Sequence, residues 1–142
     1  MLTENIPLNI LISTGIAFFV AGGAKIIITY LTKEKIDFTL AFTTGGMPSS
    51  HGATVTALAT SVFLHEGLST AFVISLFFAV IVMVDAIGVR FETGRQGMVL
   101  NRLMKKHKVD EDTFNEHVGH TPLQVLVGAL LGCFLAFLFY AV

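Results

Sequence analysis

Three long apolar runs constrain this chain more than any other feature. They extend over residues 8–31, 69–89 and 122–142. A helix that crosses about 30 Å of hydrocarbon needs roughly 20 mostly apolar residues, so each run is long enough to cross a bilayer. A helix also satisfies its backbone hydrogen bonds internally, as a membrane interior requires. The runs therefore predict an all-α, polytopic membrane helical bundle.

The composition agrees with a membrane protein and excludes several other classes. Of the 142 residues, 54% are hydrophobic and 13% are charged, and the mean hydropathy is +0.76. Soluble domains carry about 25% charged residues. The net charge of −1 and the lack of a dense basic face argue against nucleic-acid binding. Cys133 is the only cysteine, which excludes an intrachain disulfide, and the length predicts a single domain over residues 1–142.

Two further segments complete the predicted bundle. Residues 49–64 form a shorter run rich in Ala, Thr and Ser, which crosses a bilayer only if other helices shield it. We interpret this run as a buried helix with a polar face. Residues 91–108 are charged and broadly helical, and they predict an interfacial helix. The expected fold is thus about four spans plus an interfacial helix, and residues 8–31 are too long an apolar run for a cleaved signal.

The positive charges predict the orientation of the bundle. All nine Lys and Arg residues lie in residues 25–35 and 90–108. With four spans, these two segments fall on the same side of the membrane, and the positive-inside rule makes that side cytoplasmic. We therefore expect a multi-pass protein of the cell membrane.

A polar cluster at residues 45–51, Gly-Gly-Met-Pro-Ser-Ser-His, precedes the short helix. The two glycines free the backbone, and Pro48 suits the first helical position. The N-terminus of a helix begun in this way attracts an anion, and the hydroxyls of Ser49 and Ser50 are further donors. His51 is a candidate proton carrier. A merely capped helix start is the alternative, but it does not account for the histidine.

The charged residues near the predicted spans form two more clusters. Lys25 lies in the inner half of the first run, either as a snorkelling lysine or as part of a site. Asp85 interrupts an apolar run, so we expect it to be paired, with Lys25 as its partner. Arg90 and Arg95 offer forked donors that suit phosphate oxygens, although they also fit ordinary charges of an inside loop.

The fourth cluster, residues 119–124, opens the last apolar run. Thr121 and Gln124 fit a capping box, with Pro122 at the first helical position. This local structure does not explain His120. A histidine just before a helix N-terminus is a candidate nucleophile towards phosphorus. Under the inferred topology, all four clusters share the cytoplasmic face.

Taken together, the motifs resemble the divergent PAP2 family, which is related to acid phosphatases and vanadium haloperoxidases. The similarity extends from about residue 25 to residue 132. It rests on residues 45–51, 85–90, 94–96, 100–101 and 119–122.

This resemblance implies a mechanism. In the broader superfamily, a Pro-Ser-Gly-His motif supplies the acid that protonates the leaving group, and a second histidine forms a phospho-histidine without a metal or other cofactor. By position, Ser49 and Ser50 would bind phosphate, His51 would be the general acid and His120 the nucleophile.

The chain also departs from the superfamily pattern. The arginines of the first and third motifs are absent, so we nominate Arg90 or Arg95 to hold the phosphate. The aspartate expected four residues after the nucleophile is Gln124, and Glu116 is a candidate substitute. A neutral glutamine fixes an imidazole tautomer but does not stabilise an imidazolium as a carboxylate does.

We therefore expect a lipid-phosphate phosphatase, with phosphatidylglycerophosphate as the favoured substrate. The alternatives are a polyprenyl phosphate or pyrophosphate phosphatase and a non-catalytic protein that binds or moves phospholipid. A third alternative is a divalent metal site, formed by the side chains of Asp85, Glu116, His117 and His120.

The sequence also raises the question of self-association. Four short spans leave little protein interior, and Gly128 and Gly132 have the spacing that lets helices approach closely, so we expect a homo-oligomer. The same glycines fit packing within the subunit equally well.

Overall fold

The computed structural model describes residues 5–33, 45–116 and 118–141, and the regular structure in these ranges is entirely helical. The helices are α1 (Ile6–Lys33), α2 (Ser50–Glu66), α3 (Thr70–Ile87), α4 (Val89–His107) and α5 (Pro122–Ala141). Every boundary lies within two residues of the predicted one. The all-α prediction is confirmed.

Within the described residues, three stretches are long and apolar enough to cross a membrane. They are Ile6–Leu31, Thr70–His107 and Pro122–Ala141, which correspond to α1, to α3 with its continuation α4, and to α5. The 17 residues of α2 extend over about 25 Å, which is shorter than the hydrocarbon core. Helix α2 packs against α1, α3 and α5, with its largest contact on α5. The structure is therefore a bundle assembled around a short central helix.

The polar side chains of α2 are satisfied by its neighbours. The hydroxyls of Ser61 and of Ser13 in α1 lie 2.7 Å apart in the buried interior. The Thr56 hydroxyl lies 3.0 Å from the Ala129 carbonyl oxygen of α5. Since a polar group in a membrane interior is costly without a partner, these contacts explain how the Ser- and Thr-rich helix is accommodated. The prediction of a buried, polar-faced helix is confirmed.

Small residues allow the helices to lie close together. Ala17, Ala57 and Ala136 form a buried cluster where α1, α2 and α5 meet. A Cβ atom added to Gly128 would collide with the Ser49 carbonyl of α2, and one added to Gly132 would collide with α2 one turn further on. These glycines therefore pack within the subunit, and their assignment to an interface between subunits is wrong.

Helix α4 lies outside the core of the bundle. It follows α3 directly after Gly88, and its buried residues are Gly94 and Gly97. The backbone of residues 114–116 lies across these two glycines. The rest of α4 is exposed or partly exposed, and it includes the predicted interfacial segment.

Candidate functional site

The structure brings the polar clusters together at one end of the bundle. The rings of His51 and His120 have their centroids 5.7 Å apart, in an edge-to-face arrangement. Lys25 is buried, and its aliphatic chain lies beside Gly46. The backbone N–H of Ser49 donates to the Gln124 carbonyl oxygen at 3.1 Å. Residues from α1, α2 and α5 thus surround the two histidines.

The start of α2 is built by its local sequence. Gly45 and Gly46 have φ angles of 119° and 79°, in the range that favours glycine. Ser49 is fully buried and caps the helix, because its Oγ accepts a hydrogen bond from the Gly52 N–H at 3.2 Å. The helix begins at Ser50, so Pro48 precedes the cap. The prediction that Pro48 occupies the first helical position is wrong.

His120 is the most unusual side chain of the site. It is fully buried, and its backbone N–H donates to the Ala86 carbonyl oxygen at 3.1 Å. Both of its ring nitrogens are buried without a hydrogen-bond partner of normal geometry among the described residues. A buried polar group without a partner is costly and rare in native structures. This arrangement is typical of a group that acts on a ligand.

Burial also sets the protonation state of His120. It lowers the pKa of the imidazole to about 4, and the positive charges of Lys25 and His51 act in the same direction. The Gln124 side chain and the Gly46 backbone oppose this shift, but neither makes a hydrogen bond of normal geometry with the ring. Because the pKa is far below 7, the imidazole is neutral near neutral pH and keeps a lone pair for nucleophilic attack.

The start of α5 has the predicted capping box. The Thr121 N–H donates to Gln124 Oε1 at 3.0 Å, and the Gln124 N–H donates to Thr121 Oγ1 at 3.3 Å. Pro122 is the first helical residue, as predicted. Gln124 thus stabilises the helix N-terminus while its side chain lies near His120.

The charged residues are arranged differently from the prediction. Asp85 forms an ion pair with the Arg90 guanidinium, and both side chains are partly exposed. The prediction of Lys25 as the ion-pair partner of Asp85 is wrong, because Arg90 follows on the next turn and reaches back. Arg90 and Lys25 lie near the His51 ring with positive charges, and Asp85 lies near it with a negative charge that opposes them.

A cleft of about 180 Å³ is lined by Gly119 and Thr121, the neighbours of His120 in the chain, but by neither His120 nor His51. Its lining includes Arg95, Glu116 and Gln124. Arg95 also pairs with Glu92 at 2.9 Å, and both side chains are exposed. The Glu116 carboxylate accepts a hydrogen bond from Asn101 at 2.9 Å and makes none with the His120 ring. Glu116 is therefore a wall of the cleft, held by Asn101, and its role as a substitute for the missing aspartate stays a prediction.

The metal alternative has no support in the described ranges. No group of three or more His, Cys, Asp or Glu side chains in residues 5–33, 45–116 and 118–141 is arranged to hold a metal. His117, one of the proposed ligands, lies outside those ranges, as does Lys35 of the first basic segment.

Asn101 is a residue whose role the sequence did not predict. Its side-chain oxygen accepts from the Phe114 N–H at 2.8 Å, and its amide nitrogen donates to the Phe114 carbonyl oxygen at 2.8 Å. Gly94, Gly97 and Asn101 are spaced by three and four residues, which places them on one helix face. This spacing was the sequence signal that these three residues share a contact on one face of the helix.

The chain has a clear family relationship. A family model described as the divergent PAP2 family matches residues 7–135, a range that contains all the clusters of the site. This chain belongs to the divergent PAP2 family. The divergent PAP2 chain is also 39% identical over 150 aligned positions to YuiD, an uncharacterised membrane protein of Bacillus subtilis (strain 168). The alignment covers 94% of this chain and 93% of YuiD, and no solved structure matches.

Proposed function

We propose that this protein is an integral membrane phosphatase that hydrolyses a lipid phosphomonoester through a phospho-histidine at His120. The observation that carries the proposal is the fully buried His120 ring, which lies against His51 and whose nitrogens make no hydrogen bond of normal geometry with the described residues. Membership of a PAP2-related family and three apolar helices long enough to cross a bilayer support the membrane context.

In the proposed reaction, a ring nitrogen of neutral His120 attacks the phosphorus. The bond between phosphorus and the leaving oxygen breaks, and the electron pair stays on that oxygen, which takes a proton from the protonated His51 ring and leaves it neutral. Water then attacks the phospho-histidine and gives a proton to His51. Inorganic phosphate leaves, and both histidines return to their starting states.

The phosphate has several candidate donors around the two rings. Lys25 supplies a buried positive charge, and Ser49 and Ser50 lie at the N-terminal end of α2, where backbone N–H groups favour an anion. Arg95 lines the cleft. Arg90 lies near His51 and forms an ion pair with Asp85. We assign phosphate binding to Lys25 and the serines, with Arg95 as the arginine that reaches substrate in the cleft.

The substrate follows from the proposed orientation. If the basic segments are cytoplasmic, the site meets phosphorylated intermediates made on the inner leaflet. Phosphatidylglycerophosphate is the favoured substrate on this basis. A polyprenyl phosphate or pyrophosphate is the second candidate, and it becomes the first if the site faces outward.

Purified protein in detergent tests the proposal. We expect release of inorganic phosphate from phosphatidylglycerophosphate, loss of release in His120→Ala, and near-loss in His51→Ala. Acid-labile phosphate should remain on His51→Ala and be absent from His120→Ala. His65→Ala is the matched control, because His65 contacts Tyr140 at the opposite end of the bundle. Wild-type protein that releases no phosphate from any lipid phosphate would overturn the proposal.

A non-catalytic phospholipid-binding or transport protein is the second candidate function. The observation that favours it is Gln124 in the position where the superfamily has aspartate. Binding of the lipid phosphate without turnover would select this candidate. Turnover that is abolished by a chelator would instead select metal chemistry.

A further inference from the structure

Residues 114–116, which precede His120 in the chain, pack against one face of α4. Gly94, Gly97 and Asn101 form this face, which we call the seam. A Cβ atom on Gly94 would lie 2.7 Å from the Glu116 carbonyl oxygen, and one on Gly97 would lie 3.1 Å from the Asn115 carbonyl oxygen. Because any larger residue would push the segment away, the seam depends on bare backbone at both positions.

Asn101 fastens the segment at the end of this seam. Its side chain makes both backbone hydrogen bonds of Phe114, each at 2.8 Å, and a third bond to Glu116 at 2.9 Å. Residues 109–116 are all exposed, and the Phe114 side chain is 52% exposed. Since apolar burial contributes little to holding Phe114, the two hydrogen bonds from Asn101 are its principal attachment among the described residues.

The other end of the segment is fixed where α3 meets α4. Gly119 lies directly against the backbone of Phe91 and Arg90, with no room for a Cβ atom. The next residue, His120, donates its backbone N–H to Ala86. The His120 ring itself makes no hydrogen bond of normal geometry with the described residues, so its position depends on how residues 114–116 and 118–120 are held.

We propose that Asn101 is a positioning residue, which holds residues 114–116 on α4 and thereby fixes the His120 ring and the Glu116 wall of the cleft. Asn101 touches neither phosphate nor leaving group in this proposal. The expected effect of Asn101 on kcat rests on the proposed phosphatase function, whereas its role in holding the chain against α4 does not.

Asn101→Ala tests the expected effect on kcat. We expect kcat for the lipid phosphate to fall roughly ten- to a hundredfold, because a displacement of about 1 Å is enough to misalign a nucleophile. KM should change much less, since Lys25 and the serines remain in place. Lys106→Ala is the matched control, because Lys106 is exposed on the same helix and outside the site, so this variant should have the kcat and KM of the wild type.

An exchange of amide and carboxylate provides a second test if Asn101→Ala does not fold. Asn101→Asp keeps the acceptor for the Phe114 N–H but places a second carboxylate beside Glu116. Adding Glu116→Gln restores a donor and acceptor pair between the two side chains. We expect Asn101→Asp to lose kcat and the double variant to recover part of the loss.

Hydrogen exchange and imidazole NMR provide readouts that do not need turnover. In Asn101→Ala, the amides of residues 114–116 and 118–120 should exchange faster, and the His120 pKa should rise from about 4 as water reaches the ring. Unchanged exchange and an unchanged titration would overturn the proposal, as would faster exchange with unchanged kcat. Inactive wild-type protein would remove the phosphatase proposal alone, because exchange and titration would still decide whether Asn101 positions His120.

Discussion

At the scale of single residues, His120 combines burial with two ring nitrogens that make no hydrogen bond of normal geometry in the described part of the chain. Folding places the imidazole where protonation is disfavoured, first by desolvation and then by the charges of Lys25 and His51. The burial and the nearby positive charges that suit a neutral nucleophile therefore reduce the stability of the ligand-free protein at acid pH. Function and stability oppose each other at this residue.

The stability of the protein should fall in acid because of this histidine. An unfolded histidine binds a proton at about pH 6.5, whereas folded His120 binds one only at about pH 4, so between these values the unfolded state holds more protons. Stability should thus be highest above about pH 6.5 and decline as the pH falls towards 4. Thermal unfolding in detergent near pH 7 and near pH 5 measures the decline. His120→Leu should decline less, and an equal decline in both proteins would contradict the assignment.

At the scale of elements, α2 links the polar chemistry of the site to the stability of the bundle. Its N-terminus carries Ser49 and His51, and its remaining length contacts α1, α3 and α5 through small and hydroxylated residues. Changes along α2 should therefore alter stability well away from the histidines.

The Ser13 and Ser61 hydroxyls should be energetically coupled. They lie 2.7 Å apart in the interior, and hydrogen bonds between membrane helices contribute on average about 0.6 kcal/mol, with a maximum of about 1.7. A double-mutant cycle with Ser13→Ala and Ser61→Ala, measured by unfolding in mixed micelles, should give a coupling in this range. A coupling of zero would show that the contact does not join α1 to α2.

Gly132→Ala should destabilise the contact between α5 and α2. The added methyl group would collide with the Ala53 carbonyl and the Thr56 hydroxyl, and overpacking of this kind costs about 1–3 kcal/mol. Gly15→Ala is the matched control, because nothing lies within 4 Å of its added Cβ atom. Unfolding of both variants in detergent is the measurement. A change of oligomeric size without loss of stability in Gly132→Ala would return this glycine to a subunit interface.

At the scale of the whole molecule, the helices place the site at one end and the turn between α2 and α3 at the other. Lys25, the start of α2, the end of α3 and the start of α5 share the first end. Leu68, at the second end, is 83% exposed. The side of the membrane that each end faces decides which lipids reach the histidines.

Single cysteines in a Cys133→Ser background should report this orientation. With the site in the cytoplasm, an impermeant thiol reagent should label Leu68→Cys in intact cells and Glu111→Cys only after permeabilisation. Both positions are exposed, so a lack of labelling would reflect sidedness. The reverse pattern would overturn the cytoplasmic site and favour a polyprenyl substrate.

The sequence by itself determined the helices and their ends. The length of each apolar run decides whether a helix can cross, and the capping box of Thr121 and Gln124 depends on residues within one turn. The glycines at 45 and 46 and the histidines at 51 and 120 were also recognisable, because each belongs to a short motif. These features are local, so a single sequence contains them.

Only the tertiary structure decided which distant groups meet. It paired Asp85 with Arg90 instead of Lys25, turned Gly128 and Gly132 towards α2, and left the His120 ring nitrogens without a hydrogen bond of normal geometry to any described residue. Each of these outcomes depends on the relative rotation and depth of helices that lie far apart in the chain. Residue type and spacing define the face of one helix but not the atoms opposite it, so these contacts could not be predicted from sequence.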